Sequence, residues 1–143
     1  MQVIVQEEWY NEKQCIENPM SIYVFGDNVQ RVGNGGQAQI RHRTNSIGVA
    51  TKRAPLMDDK AFYNDSFGDL KSLINDIDQL YSIHNSNTYD HMNLIFPKDG
   101  LGTGLSELPK RAPMINKILS MLLEQYFGVS TNNDGTLYLK EGN

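Results

Sequence analysis

The chain of 143 residues has one cysteine, three histidines and no excess of positive charge. Cys15 stands alone, which excludes a disulfide framework and a zinc site built on cysteines. The histidines, His42, His84 and His91, show no metal-ligand spacing, so we predict neither a bound metal nor a resident cofactor. The net charge of −4 argues against broad nucleic-acid binding, although a small anionic ligand needs only a local positive site.

Long apolar segments are also missing from the sequence. No run approaches the length of a membrane span. The first eight residues have neither the basic start nor the apolar middle of a signal peptide, so we expect a cytoplasmic protein. The length predicts a single domain over residues 1–143.

Two glycine-rich segments carry most of the functional information: GNGGQA at residues 33–38 and PKDGLGTG at residues 97–104. Each follows a short apolar run that predicts a buried strand, at residues 22–25 and 93–96, and each precedes a helical pattern. Glycine lets a ligand approach main-chain N–H groups, and the helix start behind it favours an anion. One such loop is more often an ordinary turn. Two loops in this context lie at one edge of a parallel sheet, where α/β folds bind ligands, and predict a phosphate-bearing ligand.

Neither segment fits the widespread nucleotide-binding motifs. The chain contains no GxxxxGK[ST] sequence, and residues 33–36 are not followed by the spacing of a GxGxxG fingerprint. These absences argue against an ATPase and against a Rossmann-type dehydrogenase.

The alternation of strands and helices predicts an α/β fold, a three-layer α/β/α architecture with a largely parallel mixed sheet. Further strands are predicted at residues 3–5, 47–50 and 137–139. Residues 7–20 are predicted to be irregular, with Trp9 and Tyr10 as anchors.

Two amphipathic helices are predicted to cover the sheet. Ser66 is expected to cap the first, whose apolar stripe starts at Phe67. The second follows Ser106, tolerates Pro109 in its first turn and ends at Gly128.

Three groups of polar residues follow the predicted strands: Asp27 and Asn28, residues 51–53, and residues 98–107. They meet at one sheet edge if the strands are parallel. Lys52 follows a buried strand directly, and three interpretations are open. It is a positive point charge for a ligand, a desolvated amine that acts as a nucleophile, or a solvated surface lysine. Glu107 is a candidate general base, or a carboxylate that favours the start of a helix.

The order of these motifs resembles the macrodomain, an α/β/α fold that binds ADP-ribose. The resemblance covers residues 22–127 and looks most like the terminal ADP-ribose protein glycohydrolase branch. That branch has a glycine loop, a strand that ends in Thr-Lys, and a Gly-x-Gly-Leu-Asp loop. The chain is also similar to small uncharacterised phage proteins with a GGQA loop.

The resemblance implies roles for individual residues. Asn28 would lie near the distal ribose, and residues 35–37 would border the ribose and phosphate. Residues 102–105 would match the diphosphate loop, and Lys52 the lysine that attacks ribose C1″. The full predicted ligand-binding set is Asp27, Asn28, Gly35, Gly36, Gln37, Thr51, Lys52, Lys98, Gly100, Gly102, Thr103, Gly104, Leu105 and Ser106.

One departure from that branch bears on function. Where the branch has its catalytic aspartate, this chain has Ser106, followed by Glu107. Serine cannot transfer protons as a carboxylate does, so binding without hydrolysis is favoured. The binder is either a reader of ADP-ribosylated macromolecules or a sponge for a free, cyclic nucleotide signal, as suits a phage anti-defence protein in the host cytoplasm. The alternatives are an ADP-ribosyl hydrolase or phosphoesterase that uses Lys52 with Glu107 or Asp99, and an interaction domain without a ligand.

Overall fold

Four parallel strands form the central sheet of the computed structural model, which describes residues 1–140. The strands are β1 (Gln2–Gln6), β2 (Ser21–Asn28), β3 (Ser46–Lys52) and β4 (Asn93–Pro97), in the order β1-β4-β2-β3. A separate antiparallel pair is formed by β5 (Val129–Thr131) and β6 (Leu137–Leu139). The predicted α/β class is therefore confirmed, and the antiparallel pairing lies outside the central sheet.

Helices lie on both faces of this sheet. They are α1 (Glu12–Glu17), α2 (Phe67–His84), α3 (Leu108–Arg111) and α4 (Pro113–Phe127). Short 3-10 turns occur at Gly36–Ile40, Asp59–Ala61 and Asn87–Tyr89. Within residues 1–140, no helix combines the length and the apolar character that crossing a membrane requires.

The side chains of β2 alternate between two buried clusters, as the twofold period of a strand requires. Ile22 and Val24 pack with α2 and α4 in the larger cluster. Tyr23 and Phe25 pack on the opposite face, where Cys15 of α1 and the turn Gly36–Ile40 cover them. Both faces of β2 are thus buried, which explains why it reads as a continuous apolar run.

The helix caps expected from the sequence are present. The Ser66 hydroxyl accepts a hydrogen bond from the Asp69 backbone N–H at 3.2 Å. Gly128 ends α4 with a φ of 70°, a left-handed conformation that suits glycine.

Three structural expectations were wrong. Residues 7–20 contain α1, which a capping box between Asn11 and Gln14 starts. The helix after Ser106 is broken into α3 and α4, because Ala112 precedes a proline and takes an extended φ of −143°. Phe67 is 86% exposed rather than buried, since it is the first residue of α2 and lies beyond the packed stripe.

Candidate functional site

The two glycine-rich loops face each other at the C-terminal edge of the sheet and enclose a cleft. The cleft has two lobes, which share Gly26, Gly35, Leu105 and Ser106 in their walls. Lobe A has a volume of about 220 Å³ and lobe B of about 320 Å³. The parallel strands bring the loops after β2, β3 and β4 to this edge, as the sequence predicted.

Lys52 lies at the end of β3, in the wall of lobe B, and is only 5% exposed. Its Nζ lies 3.4 Å from Met57 Sδ and 4.5 Å from the centre of the Phe62 ring. No carboxylate of residues 1–140 forms an ion pair with it. Lys52 is therefore a desolvated cation at a cavity wall and not a solvated surface lysine.

The surroundings of Lys52 change its protonation. Burial is the largest influence and lowers the pKa of Lys52, because a dry environment disfavours the charged amine. The charge of Glu107 opposes this shift, Arg111 adds to it, and Asp58 opposes it. The amine is thus closer to the neutral, nucleophilic form than an exposed lysine would be.

Asn28 also lines lobe B and has one unused polar atom. Its Nδ2 donates to the Val32 carbonyl oxygen at 2.8 Å, whereas its buried Oδ1 has no partner within the described residues. A buried acceptor without a donor costs stability unless a ligand or water supplies one. Asn28 can therefore accept a hydrogen bond from a group in lobe B.

Asp27 is buried beside lobe B, but arginines occupy its carboxylate. Arg41 donates to both of its oxygens, at 2.6 and 2.9 Å, and Arg31 approaches one at 3.4 Å. Arg31 also holds Asp76 at 2.6 and 2.7 Å, and Asp76 accepts from the Ala50 N–H at 2.7 Å. Asp27 thus fixes the first loop to the sheet and has little capacity left for a ligand.

Gln37 joins the two glycine-rich loops. Its Oε1 accepts from the Gly26 N–H at 2.8 Å, and its Nε2 donates to the Gly100 carbonyl oxygen at 2.7 Å. Gly26 tolerates no side chain, because a Cβ there would lie 2.2 Å from the Leu101 carbonyl oxygen. Gln37 therefore sets the width of the cleft at lobe A.

Thr51 and Ser106 connect β3 to the second loop. The fully buried Thr51 hydroxyl lies 3.1 Å from the Leu101 carbonyl oxygen and 2.7 Å from Ser106 Oγ. Because Thr51 has one proton and the carbonyl can only accept, Ser106 donates to Thr51. The remaining lone pairs of Ser106 Oγ lie in the wall shared by both lobes.

The second loop has unused donors. The carbonyl oxygens of Gly102 and Gly104 accept from the N–H groups of Leu108 and Glu107, at 2.9 and 3.0 Å. Among the described residues, no acceptor is found for the backbone N–H groups of residues 102–106. Successive free N–H groups of this kind are the usual donors to a phosphate.

Open space lies beside several glycines of the cleft. A Cβ at Gly35, Gly36 or Gly104 would meet nothing within 4 Å, and of these only Gly36 has a positive φ, of 58°. A side chain at Gly35 or Gly104, both of which line lobe A, would therefore meet no clash in the fold.

Two residues predicted to act in the site lie outside the cleft, and a third, Asp99, lies within it. Lys98 forms an exposed ion pair with Glu7 at 3.2 Å and lines a separate groove beside β1. Glu107 lines neither lobe; its carboxylate lies 3.5 Å from Arg111 Nε, although its charge still acts on Lys52. Asp99 is exposed and lines lobe A.

Sequence reasoning missed several residues of the cleft. The expectation that Trp9 and Tyr10 both act as anchors holds for the buried Tyr10 but is wrong for Trp9, which lines lobe A and is 67% exposed. Both residues lie in the same polar run, so no local pattern separates them. Arg41 and Met57, both in the wall of lobe B, gave no signal either.

Within residues 1–140, no group of three or more histidine, cysteine or acidic side chains is arranged to hold a metal ion. The sequence profile of a family of unknown function (DUF7831) matches residues 5–122. No curated protein and no solved structure matches the chain.

Proposed function

We propose that this chain, which belongs to the family of unknown function DUF7831, binds an ADP-ribose-type nucleotide in the cleft between its glycine-rich loops. The observation that carries the proposal is the row of backbone N–H groups at residues 102–106, which have no acceptor among residues 1–140. Residues 103–106 line the cleft, as do Gly35 and Lys52. These groups offer a diphosphate both hydrogen bonds and a compensating charge. The proposal includes the macro-like relationship that the motifs suggest.

Lobe B supports a ribose at the end of such a ligand. Asn28 Oδ1 accepts a hydrogen bond from a hydroxyl, and Ser106 Oγ offers further lone pairs at the wall between the lobes. Lobe B reaches the surface beside Val32 and Met57, both about half exposed. A ribose bound there can remain attached to a carrier, which is compatible with a reader as well as with a sponge.

Calorimetry with ADP-ribose, NAD and a cyclic ADP-ribose isomer tests the proposal. We expect a saturable heat for at least one of them and none for adenosine, which lacks phosphate. Preference for the cyclic isomer supports a sponge, and preference for ADP-ribose supports a reader. Failure of every dinucleotide and diphosphate ligand to bind at millimolar concentration contradicts the proposal.

The lowered pKa of Lys52 favours one second candidate, an ADP-ribosyl hydrolase. In it the neutral amine would bond to ribose C1″ while the bond from C1″ to the carrier breaks and the carrier leaves with the electron pair; water would then release ADP-ribose and restore the amine. The surroundings favour it less than binding, because Glu107 is held by Arg111 outside the cleft and Ser106 is no base. Incubation with an ADP-ribosylated protein separates the two. If the parent releases ADP-ribose and Lys52→Ala does not, the result supports the enzyme. If the parent binds without releasing ADP-ribose, the result supports the binder.

A further inference from the structure

Lobe A has two large exposed apolar side chains in its wall, Trp9 and Leu105. They are 67% and 64% exposed, and Trp9 is the one tryptophan of the chain. Exposing a tryptophan beside a cavity leaves much apolar surface in water, and such surfaces mark binding sites. A flat aromatic group that enters lobe A would cover both side chains.

The backbone on both sides of Trp9 is fixed. The buried Tyr10 hydroxyl lies 2.8 Å from the Val24 carbonyl oxygen and 3.2 Å from that of Ile95. The Gln6 side chain donates to the Glu8 carbonyl oxygen at 3.0 Å. The backbone of Trp9 is therefore positioned at lobe A before a ligand arrives, so that only the side chain has to be ordered on binding.

The charges of the two lobes give the ligand a direction. Among the described residues that line lobe A, Asp99 is the one charged side chain, and the Gln37 amide is already used. Asp99 thus disfavours an anion on its side of lobe A, whereas Lys52 in lobe B attracts one. An asymmetric ligand places its uncharged end beside Trp9 and its phosphates at Leu105 and Ser106, which line both lobes.

We infer that lobe A receives the nucleobase of the ligand and that the base stacks on the indole of Trp9. This inference rests on the proposed function and names the class of ligand: a nucleotide with its base, rather than a sugar phosphate. Stacking uses the π-face that every base presents and not the hydrogen-bonding edge. The site therefore tolerates guanine or hypoxanthine in place of adenine.

The single tryptophan gives a direct measurement. Titration with ADP-ribose is expected to change Trp9 emission, after correction for absorbed light with N-acetyltryptophanamide. Ribose 5-phosphate, which has no base, is expected to leave the emission unchanged up to millimolar concentration. The guanine analogue of ADP-ribose is expected to bind within about fivefold of ADP-ribose.

Calorimetry on three variants completes the test. Trp9→Ala is expected to weaken ADP-ribose binding by about 5- to 150-fold, the range of a lost base–aromatic stack. Trp9→Phe keeps a stacking ring and is expected to bind within about threefold of the parent. Phe67→Ala removes another exposed aromatic side chain, away from the cleft, and is expected to bind like the parent.

The outcomes separate this inference from the proposed function. If ADP-ribose binds but neither Trp9 emission nor the affinity of Trp9→Ala changes, the inference is wrong and the proposed function stands. If ribose 5-phosphate changes the emission as ADP-ribose does, the base is not what stacks and the inference is also wrong. If no nucleotide binds the parent, both are wrong.

Discussion

Asn28 and Lys52 are paired across the β2–β3 ladder one step beyond a shift in register. Asp27 pairs with Ala50, and Asn28 with Lys52, so Thr51 is an extra residue in β3. Such bulges occur next to functional sites, where they redirect a side chain. Here the bulge brings two groups into the wall of the same lobe: the Lys52 amine, which has no ion-pair partner among residues 1–140, and the Asn28 amide oxygen, which has no hydrogen-bond partner there.

We expect Lys52→Met to raise stability and to weaken binding. The methionine side chain is about as long as that of lysine and carries no charge. It removes the cost of burying an ammonium that has no ion-pair partner among residues 1–140, so the free energy of unfolding should rise by about 1 kcal/mol. ADP-ribose affinity should fall by about 10- to 150-fold, the equivalent of a charge-assisted hydrogen bond. Urea denaturation and calorimetry measure the two effects. A variant that is less stable than the parent and binds equally well contradicts both assignments.

The stability difference between the parent and Lys52→Met should depend on pH. Because the pKa of Lys52 is lowered in the folded protein, the folded state loses this proton before the unfolded state does. The parent's free energy of unfolding should therefore increase as the pH rises from the lowered pKa to the ordinary value of about 10.4. The advantage of Lys52→Met should shrink over that interval. A constant difference from pH 7 to pH 10.5 would argue that the amine is hydrated.

Gly35→Leu should abolish nucleotide binding without unfolding the protein. Gly35 lines both lobes, a Cβ there meets nothing within 4 Å, and the φ of −79° suits any residue. Gly68→Leu is the matched control, because Gly68 also has open space but lies in α2, away from the cleft. Both variants should stay within about 0.5 kcal/mol of parental stability. Equal binding by the two variants would place the ligand elsewhere.

Gln37→Leu should widen the cleft and destabilise the fold. It removes the hydrogen bond to Gly100 that joins the loops and leaves the Gly26 N–H of β2 without its acceptor, at a cost of about 1 to 3 kcal/mol. Gln39→Leu is the control, since this neighbour makes one exposed bond to the Gly36 carbonyl oxygen at 3.2 Å. Its cost should be below about 0.5 kcal/mol. Thermal unfolding compares the variants, and equal melting temperatures would show that the bridge is unimportant.

Asp27→Asn should destabilise the fold, because the Asp27 carboxylate fixes the first glycine-rich loop to the sheet. Arg41, whose side chain is 10% exposed, would lose its anionic partner, which should cost about 3 kcal/mol. Asp90→Asn breaks an exposed contact with His91 and should cost almost nothing. The measurement is chemical denaturation of both variants. Similar curves would mean that the Asp27 network contributes no more than a surface ion pair.

The parts of the fold that local patterns specify were predictable. The strand at residues 22–25 is apolar, because helices or turns cover both of its faces, and Ser66 caps a helix through a hydrogen bond three residues away. The meeting of three strand ends follows from parallel topology alone. These features require no knowledge of distant contacts.

The contacts that shape the cleft could not be predicted in the same way. Gln37 and Gly100 are far apart in the chain, and nothing in their neighbours indicates that they bond. The register shift at Thr51 is likewise a tertiary feature, so the burial of Lys52 could not be distinguished from exposure on the surface. Glu107 was a reasonable candidate base, but its left-handed φ of 45° and its contact with Arg111 depend on how α3 starts.

The outer position of β1 has a consequence for the order in which the cleft assembles. Within the central sheet, β1 pairs with β4 alone, so Val3 has no ladder partner until Leu94 has been synthesised. Closing so long a loop costs chain entropy and slows folding. Most of lobe B comes from β2, β3 and their loops, which are near neighbours in the chain. We therefore expect the wall that carries Trp9 to form late. A ribosome-bound fragment that ends before β4 lacks residues 99–101 and 103–106, which form much of the lining of lobe A.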